Sequence, residues 1–215
     1  MKSIKDMMLL YAVTDRAWTG EKTLFEQAEA ALKGGITCLQ LREKELDEEE
    51  FLREAIEMKK LCSRYDVPLI INDNVEIALR SGADGVHAGQ SDMRPEDIRK
   101  IAGDKLIIGT SASTPELAVK AQQAGADYLG VGAVFSTSTK LNTNSVSYET
   151  LSRICSSVTI PVTAIGGIKK NNIMTLAGSG ADGAALVSAI FAADDIEAEC
   201  RELLELAEKM TGRRK

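Results

Sequence analysis

Three cations, Arg42, Lys44 and Lys140, stand in the polar segments that follow short apolar runs in a chain whose net charge is acidic. Arg42 and Lys44 lie in Gln40-Leu41-Arg42-Glu43-Lys44, and Lys140 ends the hydroxyl-rich Ser136-Thr137-Ser138-Thr139-Lys140. An arginine fork and lysine point charges beside hydroxyl donors suit phosphate oxygens. Each cation taken alone would be a solvated surface charge. Asp73, in Asn72-Asp73-Asn74, and Asp92, in Gln90-Ser91-Asp92, also follow apolar runs. Such a pair can hold Mg2+ together with waters and substrate phosphates. It can equally cap the helices that come next, and spacing leaves both readings open. Gly109-Thr110-Ser111 adds a hydroxyl, and Gly166-Gly167 with Ser188 offers unhindered backbone N–H groups of the kind that bind phosphate. The sole histidine, His87, reads as a wall residue of its strand, with ligand contact as the alternative.

Composition removes other chemistries. Lys+Arg 26 against Asp+Glu 32 over 215 residues gives a net charge of -6. A nucleic-acid partner, which a basic excess would announce, is not expected. One histidine leaves little material for His-rich metal sites or Ser-His triads. Cys38, Cys62, Cys155 and Cys200 are scattered and form no CxxC, so zinc and redox motifs are unsupported. The apolar runs fall short of the ~20 residues of a membrane helix. The first residues lack a signal-peptide cleavage pattern. A cytoplasmic protein without a membrane partner is expected, and homo-oligomerisation is left open.

Short β-like runs alternate with amphipathic helical ones along the chain. The predicted strands are Leu9–Val13, Thr37–Leu41, Pro68–Ile71, Gly85–His87, Leu106–Gly109, Tyr128–Val131, Pro161–Ile165 and Ala184–Val187. Several are continuously apolar, as parallel strands covered on both faces must be. Helical patterns include Leu24–Leu32, Glu48–Tyr65, Pro115–Ala124 and Asn172–Ala177. Arg94-Pro95-Glu96-Asp97 and Thr114-Pro115-Glu116 read as a polar cap followed by Pro in the first turn. Asp47-Glu48-Glu49-Glu50 reads as a helix start favoured by the macrodipole. Gly82-Ala83-Asp84, Gly125-Ala126-Asp127 and Gly180-Ala181-Asp182 each end a helical pattern and precede a strand, with Gly34-Gly35-Ile36-Thr37 a looser copy. Eight βα units predict an α/β fold, a (β/α)8 TIM barrel forming one compact domain over residues 1–215. An open doubly wound sheet is disfavoured because no GxGxxG or P-loop follows a strand. The polar residues above then gather at strand carboxyl ends, where such barrels carry their sites.

The segments Leu10–Arg16, Leu39–Lys44, Ile71–Asp73, Gly85–Gln90, Thr137–Lys140 and Ala164–Ile168 together resemble the thiamine-phosphate synthase family. The resemblance implies a (β/α)8 transferase that joins an aminopyrimidine diphosphate to a thiazole phosphate, releasing pyrophosphate and giving thiamine phosphate. By similarity, Gln40, Leu41, Arg42, Glu43, Lys44 and Asn72 hold the pyrimidine diphosphate, with Arg42 and Lys44 on its phosphates. Asp73 and Asp92 carry the implied cofactor, Mg2+. Ser111 and Lys140 complete the diphosphate cradle, and with Arg42 they are the implied catalytic residues. Thr137, Ser138, Thr139, Gly167, Val187 and Ser188 receive the thiazole phosphate. The implied chemistry is dissociative, which suits a chain with one His. The chain departs from the family pattern at Ala133 and Ser136, where prolines are usual. A related isomerase branch, a thiazole tautomerase, uses a His at the position of Ala133, and alanine cannot shuttle a proton. A barrel that binds thiamine precursors without catalysis would not need the cations and carboxylates retained here.

Overall fold

A computed structural model describes residues 3–90, 92–136 and 145–213. Strands β1 (Leu10–Val13), β2 (Cys38–Leu41), β3 (Leu69–Asn72), β4 (Gly85–Ala88), β5 (Ile107–Ala112), β6 (Tyr128–Val131), β7 (Val162–Ile165) and β8 (Gly183–Leu186) form a closed parallel barrel in chain order. β8 pairs back onto β1 through Leu10–Ala184 and Ala12–Leu186. The helices are α1 (Ile4–Met7), α2 (Leu24–Lys33), α3 (Glu48–Arg64), α4 (Val75–Ser81), α5 (Pro95–Ala102), α6 (Pro115–Gln123), α7 (Tyr148–Ser157), α8 (Ser188–Phe191) and α9 (Ile196–Met210).

Because successive strand residues point to opposite faces, the continuous apolar runs divide between two cores. Leu10, Leu39, Leu41, Leu69, Ile71, Val86 and Ile108 face outward into a layer shared with the helices. Met7, Met8, Tyr11, Val13, Cys38, Ile70, Tyr128 and Ala185 fill the barrel interior. α1 delivers Met7 to that interior, so the amino-terminal end of the barrel is stoppered and its carboxyl end carries the polar residues. Cys38 is fully buried, as a small hydrophobe would be.

The glycine repeat has a structural cause. Gly82, Gly125 and Gly180 take φ of +70°, +91° and +89°, which turns each chain out of its helix. The following Asp then clamps the preceding strand at two points. Asp84 N donates to Leu69 O (2.9 Å), and Asp84 Oδ2 accepts from Leu69 N (2.8 Å). Asp127 does the same to Ile108, and Asp182 to Val162. A cation stands on each carboxylate: Lys59 on Asp84, Arg99 on Asp127 and Lys5 on Asp182. Thr37 is the uncharged fourth clamp, its N–H on Leu10 O and its hydroxyl oxygen accepting from Leu10 N at 2.8 Å. The clamps therefore join β1 to β2, β3 to β4, β5 to β6 and β7 to β8.

The predicted strands all form, with ends shifted by a residue or so except in one case. β5 continues to Ala112 because Ser111 and Ala112 pair with Gly130 and Val131, so Ser111 stands within a strand rather than after it. Asn172–Ala177, predicted helical, is a single 3-10 turn over Ile173–Leu176 between Gly167 and the left-handed Gly178. Thr114 and Asp47 cap α6 and α3 as expected, accepting from Leu117 N and Glu50 N. Arg94 precedes Pro95 at the start of α5 but makes no side-chain cap. Among the described residues no helix is long and apolar enough to cross a membrane.

If the clamps hold the strand pairs, removing a charged one should cost more than removing the neutral one. Asp127→Ala should lower unfolding stability by about 1.5–3 kcal/mol, and Thr37→Val by about 1 kcal/mol. Urea unfolding midpoints measure both, and equal losses would remove the charge-assisted part of this account.

Candidate active site

The loop after β2 is built before it can hold anything. Thr14 Oγ1, fully buried, accepts from Arg42 N at 3.0 Å. Glu43 turns inward, and its Oε1 accepts from Lys44 N (2.7 Å) and Glu45 N (2.9 Å). Its other oxygen takes the Arg16 guanidinium, which also reaches Glu54. Burial alone would raise the Glu43 carboxyl, but the Glu45 and Lys44 amides and Arg16 bring it below its ordinary value. Glu43 is thus a brace for the loop, with its oxygens already engaged. Leu41 packs into the strand–helix layer, so its side chain is turned away from the barrel interior.

The braced loop points its cations at carboxylates. Arg42 Nη1 donates to Asp15 Oδ2 at 2.9 Å, and Lys44 Nζ donates to Asp73 Oδ2 at 2.6 Å. A cleft of about 210 Å3, lined by Asp15, Arg16, Ala17 and residues Arg42 to Glu45, opens between them. A wider groove of about 590 Å3 lies on the outer wall along Pro115, Tyr148 and Arg153, on helices rather than at the strand carboxyl ends.

Asp73 and Asp92 meet at the ends of β3 and β4. Asp73 has a left-handed φ of +62°, uncommon for a residue with a side chain. Its N–H donates to His87 O at 2.8 Å, and Asn72 Nδ2 donates to its carboxylate at 2.6 Å. Neither aspartate caps a helix: the cap of α4 is Asn74, and Asp92 Oδ2 accepts from Gly89 N at 2.9 Å. The two carboxyls are near enough to act on one another electrostatically. Burial and then the Asp73 charge push the Asp92 carboxyl up. Burial also acts to raise Asp73, but Lys44 outweighs it and holds that carboxyl below its ordinary value. Two hard oxygen ligands that repel one another fit a divalent cation completed by water and phosphate. Among the described residues no cluster of three or more His, Cys, Asp or Glu could hold a metal.

Beneath these groups runs a column of polar side chains, buried at Gln40, Tyr11 and Tyr128 and half-buried at His87 and Ser111. Gln40 Nε2 donates to Tyr11 Oη (2.8 Å), and Tyr11 Oη bonds Tyr128 Oη (2.9 Å). Tyr128 Oη lies 3.1 Å from His87 Nδ1, and His87 Nε2 lies 3.2 Å from Ser111 Oγ. His87 is therefore a wall residue, as expected, but one that supports Ser111. A Cβ on Gly109 would run into the Tyr128 ring, and one on Gly130 would sit 3.1 Å from His87 Cε1. Both glycines make room for the column.

On the opposite side of the mouth, Gly166 and Gly167 follow β7 with φ of +102° and +67°. Phe135 N donates to Gly166 O at 3.0 Å, which draws the chain after β6 against the glycines. Val187 and Ser188 lie at the end of β8, where α8 begins. Ala133 is buried, and its carbonyl accepts from Val146 N at 2.7 Å. The candidates Thr137, Ser138, Thr139 and Lys140 lie outside the described residues.

A model of the thiamine monophosphate synthase family matches residues 10–190. The chain belongs to that family. A thiamine-phosphate synthase from Ruminiclostridium cellulolyticum is 50% identical over 206 residues, covering 96% of this chain and 98% of the relative. One from Clostridium botulinum is 46% identical over 201 residues, 94% of each. The solved thiamine phosphate pyrophosphorylase from Pyrococcus furiosus superimposes with a TM-score of 0.90 at 36% identity, covering 97% of this chain and 99% of that one. The mouth described above is thus the carboxyl end of a thiamine monophosphate synthase family barrel. At it and beneath it, Asp15, Arg16, Tyr11 and Tyr128 have no role assigned from sequence. The signal for the tyrosines was a phenol at an inward-facing position of a short apolar strand.

Gly109→Ala should displace the Tyr128 ring and cost about 1–3 kcal/mol in urea unfolding. An unchanged midpoint would mean that the column does not depend on that space.

Proposed function

We propose that this chain is a transferase that joins an aminopyrimidine diphosphate to a thiazole phosphate, yielding thiamine phosphate and pyrophosphate. The observation that carries the reading is the meeting of Arg42, Lys44, Asn72, Asp73, Asp92 and Ser111 at one end of a barrel of this family. The C–O bond to the diphosphate breaks and the bond pair leaves with pyrophosphate. The electron-rich pyrimidine delocalises the resulting methyl cation, and the thiazole nitrogen closes the C–N bond with its lone pair. No proton need move in either step, which agrees with a chain whose sole histidine is engaged below Ser111.

The residues then have electrostatic and positioning roles. Arg42 and Lys44 exchange their carboxylate partners for diphosphate oxygens, and the Ser111 hydroxyl adds a neutral donor. Gln40 and Asn72 orient the pyrimidine. Gly167, Val187 and Ser188 offer main-chain and hydroxyl donors to the thiazole phosphate, with Thr137, Ser138 and Thr139. Lys140 adds a third cation to the leaving group. Asp73 and Asp92 would hold Mg2+, which when bound supplies positive charge to the departing diphosphate.

Incubation with both precursors and Mg2+ should release thiamine phosphate and pyrophosphate in equal amounts, read by chromatography and a coupled phosphate assay. Release of neither would overturn the reading. Asp92→Ala should lower turnover by about 100-fold or more while costing about 1 kcal/mol or less of stability. Turnover equal to the parent chain would take Asp92 out of the metal site.

A further inference from the structure

We propose that Tyr128 is a positioning residue: through His87 it sets the direction in which Ser111 offers its proton to the mouth. This rests on the reading of Ser111 as a donor to the diphosphate. It adds the cause of that donation, which lies in the barrel interior rather than in the mouth.

The argument is one of proton counting. The column runs Gln40, Tyr11, Tyr128, His87, Ser111, one side chain from each of β2, β1, β6, β4 and β5. An amide nitrogen can only donate, so Tyr11 Oη accepts from Gln40 Nε2. Tyr11 and Tyr128 are fully buried, and burial pushes both phenols well above their ordinary range. Each therefore keeps its single proton and can donate once. A buried hydroxyl proton needs an acceptor, and the Tyr128 oxygen at 2.9 Å supplies one for Tyr11. The neighbouring Cys38 thiol is the weaker acceptor. Tyr128 oxygen, accepting from Tyr11, spends its own proton on His87 Nδ1. A neutral imidazole that accepts at Nδ1 carries its proton at Nε2. That proton goes to Ser111 Oγ, 3.2 Å away. With its oxygen receiving from below, Ser111 turns its own proton outward.

The opposite order has a different chemical outcome. Were Gln40 to present its oxygen to Tyr11, each bond would reverse, and Ser111 would donate downward to Nε2. Lone pairs of Ser111 would then face an anionic diphosphate, which disfavours its approach. The amide of Gln40 and the hydroxyl of Tyr128 thus select between a serine that attracts the leaving group and one that repels it. A phenylalanine at 128 would fill the same space beside Gly109, so the phenol contributes the bond direction rather than the packing.

The single histidine makes the direction measurable. Chain without an affinity tag, labelled with 15N at histidine and free of substrate, gives one imidazole pattern in a long-range proton–nitrogen spectrum at mildly alkaline pH. The expected pattern is a protonated Nε2 and an unprotonated Nδ1. A proton on Nδ1, on both nitrogens, or averaged between them would overturn the proposal. In Tyr128→Phe the two tautomers should average, and kcat should fall by about tenfold with KM for the pyrimidine diphosphate changed less than about twofold. A Tyr128→Phe chain that keeps the parent tautomer would equally overturn it, whatever its turnover. Should that variant not fold, the spectrum of the parent chain still decides. Because that spectrum needs no substrate, a chain that releases no pyrophosphate would sink the proposed reaction alone. A wrong tautomer would sink the positioning role and leave the reaction standing.

Discussion

The mouth depends on holding Arg42 and Lys44 in place on carboxylates. Arg42 leans on Asp15 and Lys44 on Asp73, in bonds of 2.9 and 2.6 Å. Each carboxylate holds a cation in place, and each pair is open enough to water that its partner can be exchanged. An exposed pair contributes little net stability, so its exchange for phosphate oxygens is not heavily opposed. Glu43 is different in kind. It is buried and fully engaged, and it fixes the backbone from which both cations project. Loop rigidity and cation mobility are thus assigned to separate carboxylates.

The barrel serves that arrangement by fixing where the strands end. Four clamps at the amino-terminal end tie the strands in consecutive pairs, and three of them carry a buttressing cation. Register set at one end of a four-residue strand is register set at the other, so the clamps also determine which residues meet at the mouth. That is how Asp73 after β3 comes near Asp92 after β4, although they lie 19 positions apart in the chain.

Much of this was legible in the sequence because it follows from periodicity and from left-handed glycines. Eight apolar runs, the Gly-Ala-Asp copies and the polar strand ends gave the fold and most of the mouth. What stayed hidden depended on pairing between strands. The extension of β5 that carries Ser111 follows from its neighbours Gly130 and Val131, not from the apolar run that ends at Gly109. Asn172–Ala177 has helical spacing, but the glycines on either side leave it room for one turn only. The fourth clamp was visible as a looser repeat, yet only the fold explains why Thr can replace Asp: its N–H and hydroxyl make the same two hydrogen bonds, here to Leu10, without a charge. Tyr11 and Tyr128 are 117 residues apart, and nothing local reveals that their hydroxyls touch.

The interior column shows what a barrel adds that a surface loop cannot. A hydrogen bond in water can reverse its donor and acceptor at little cost, because solvent accepts whichever proton is displaced. Around the buried Gln40, Tyr11 and Tyr128 little solvent compensates, and an unmatched proton or lone pair costs more than the bond itself is worth. Donor order is therefore passed from Gln40 to Ser111 as a single cooperative choice. It passes through groups that lie beneath the mouth and need make no contact with the substrate's reacting atoms. The proposed reaction moves no proton, yet it would still benefit from knowing where one proton points, since a donor already turned toward a departing diphosphate has no reorganisation left to make.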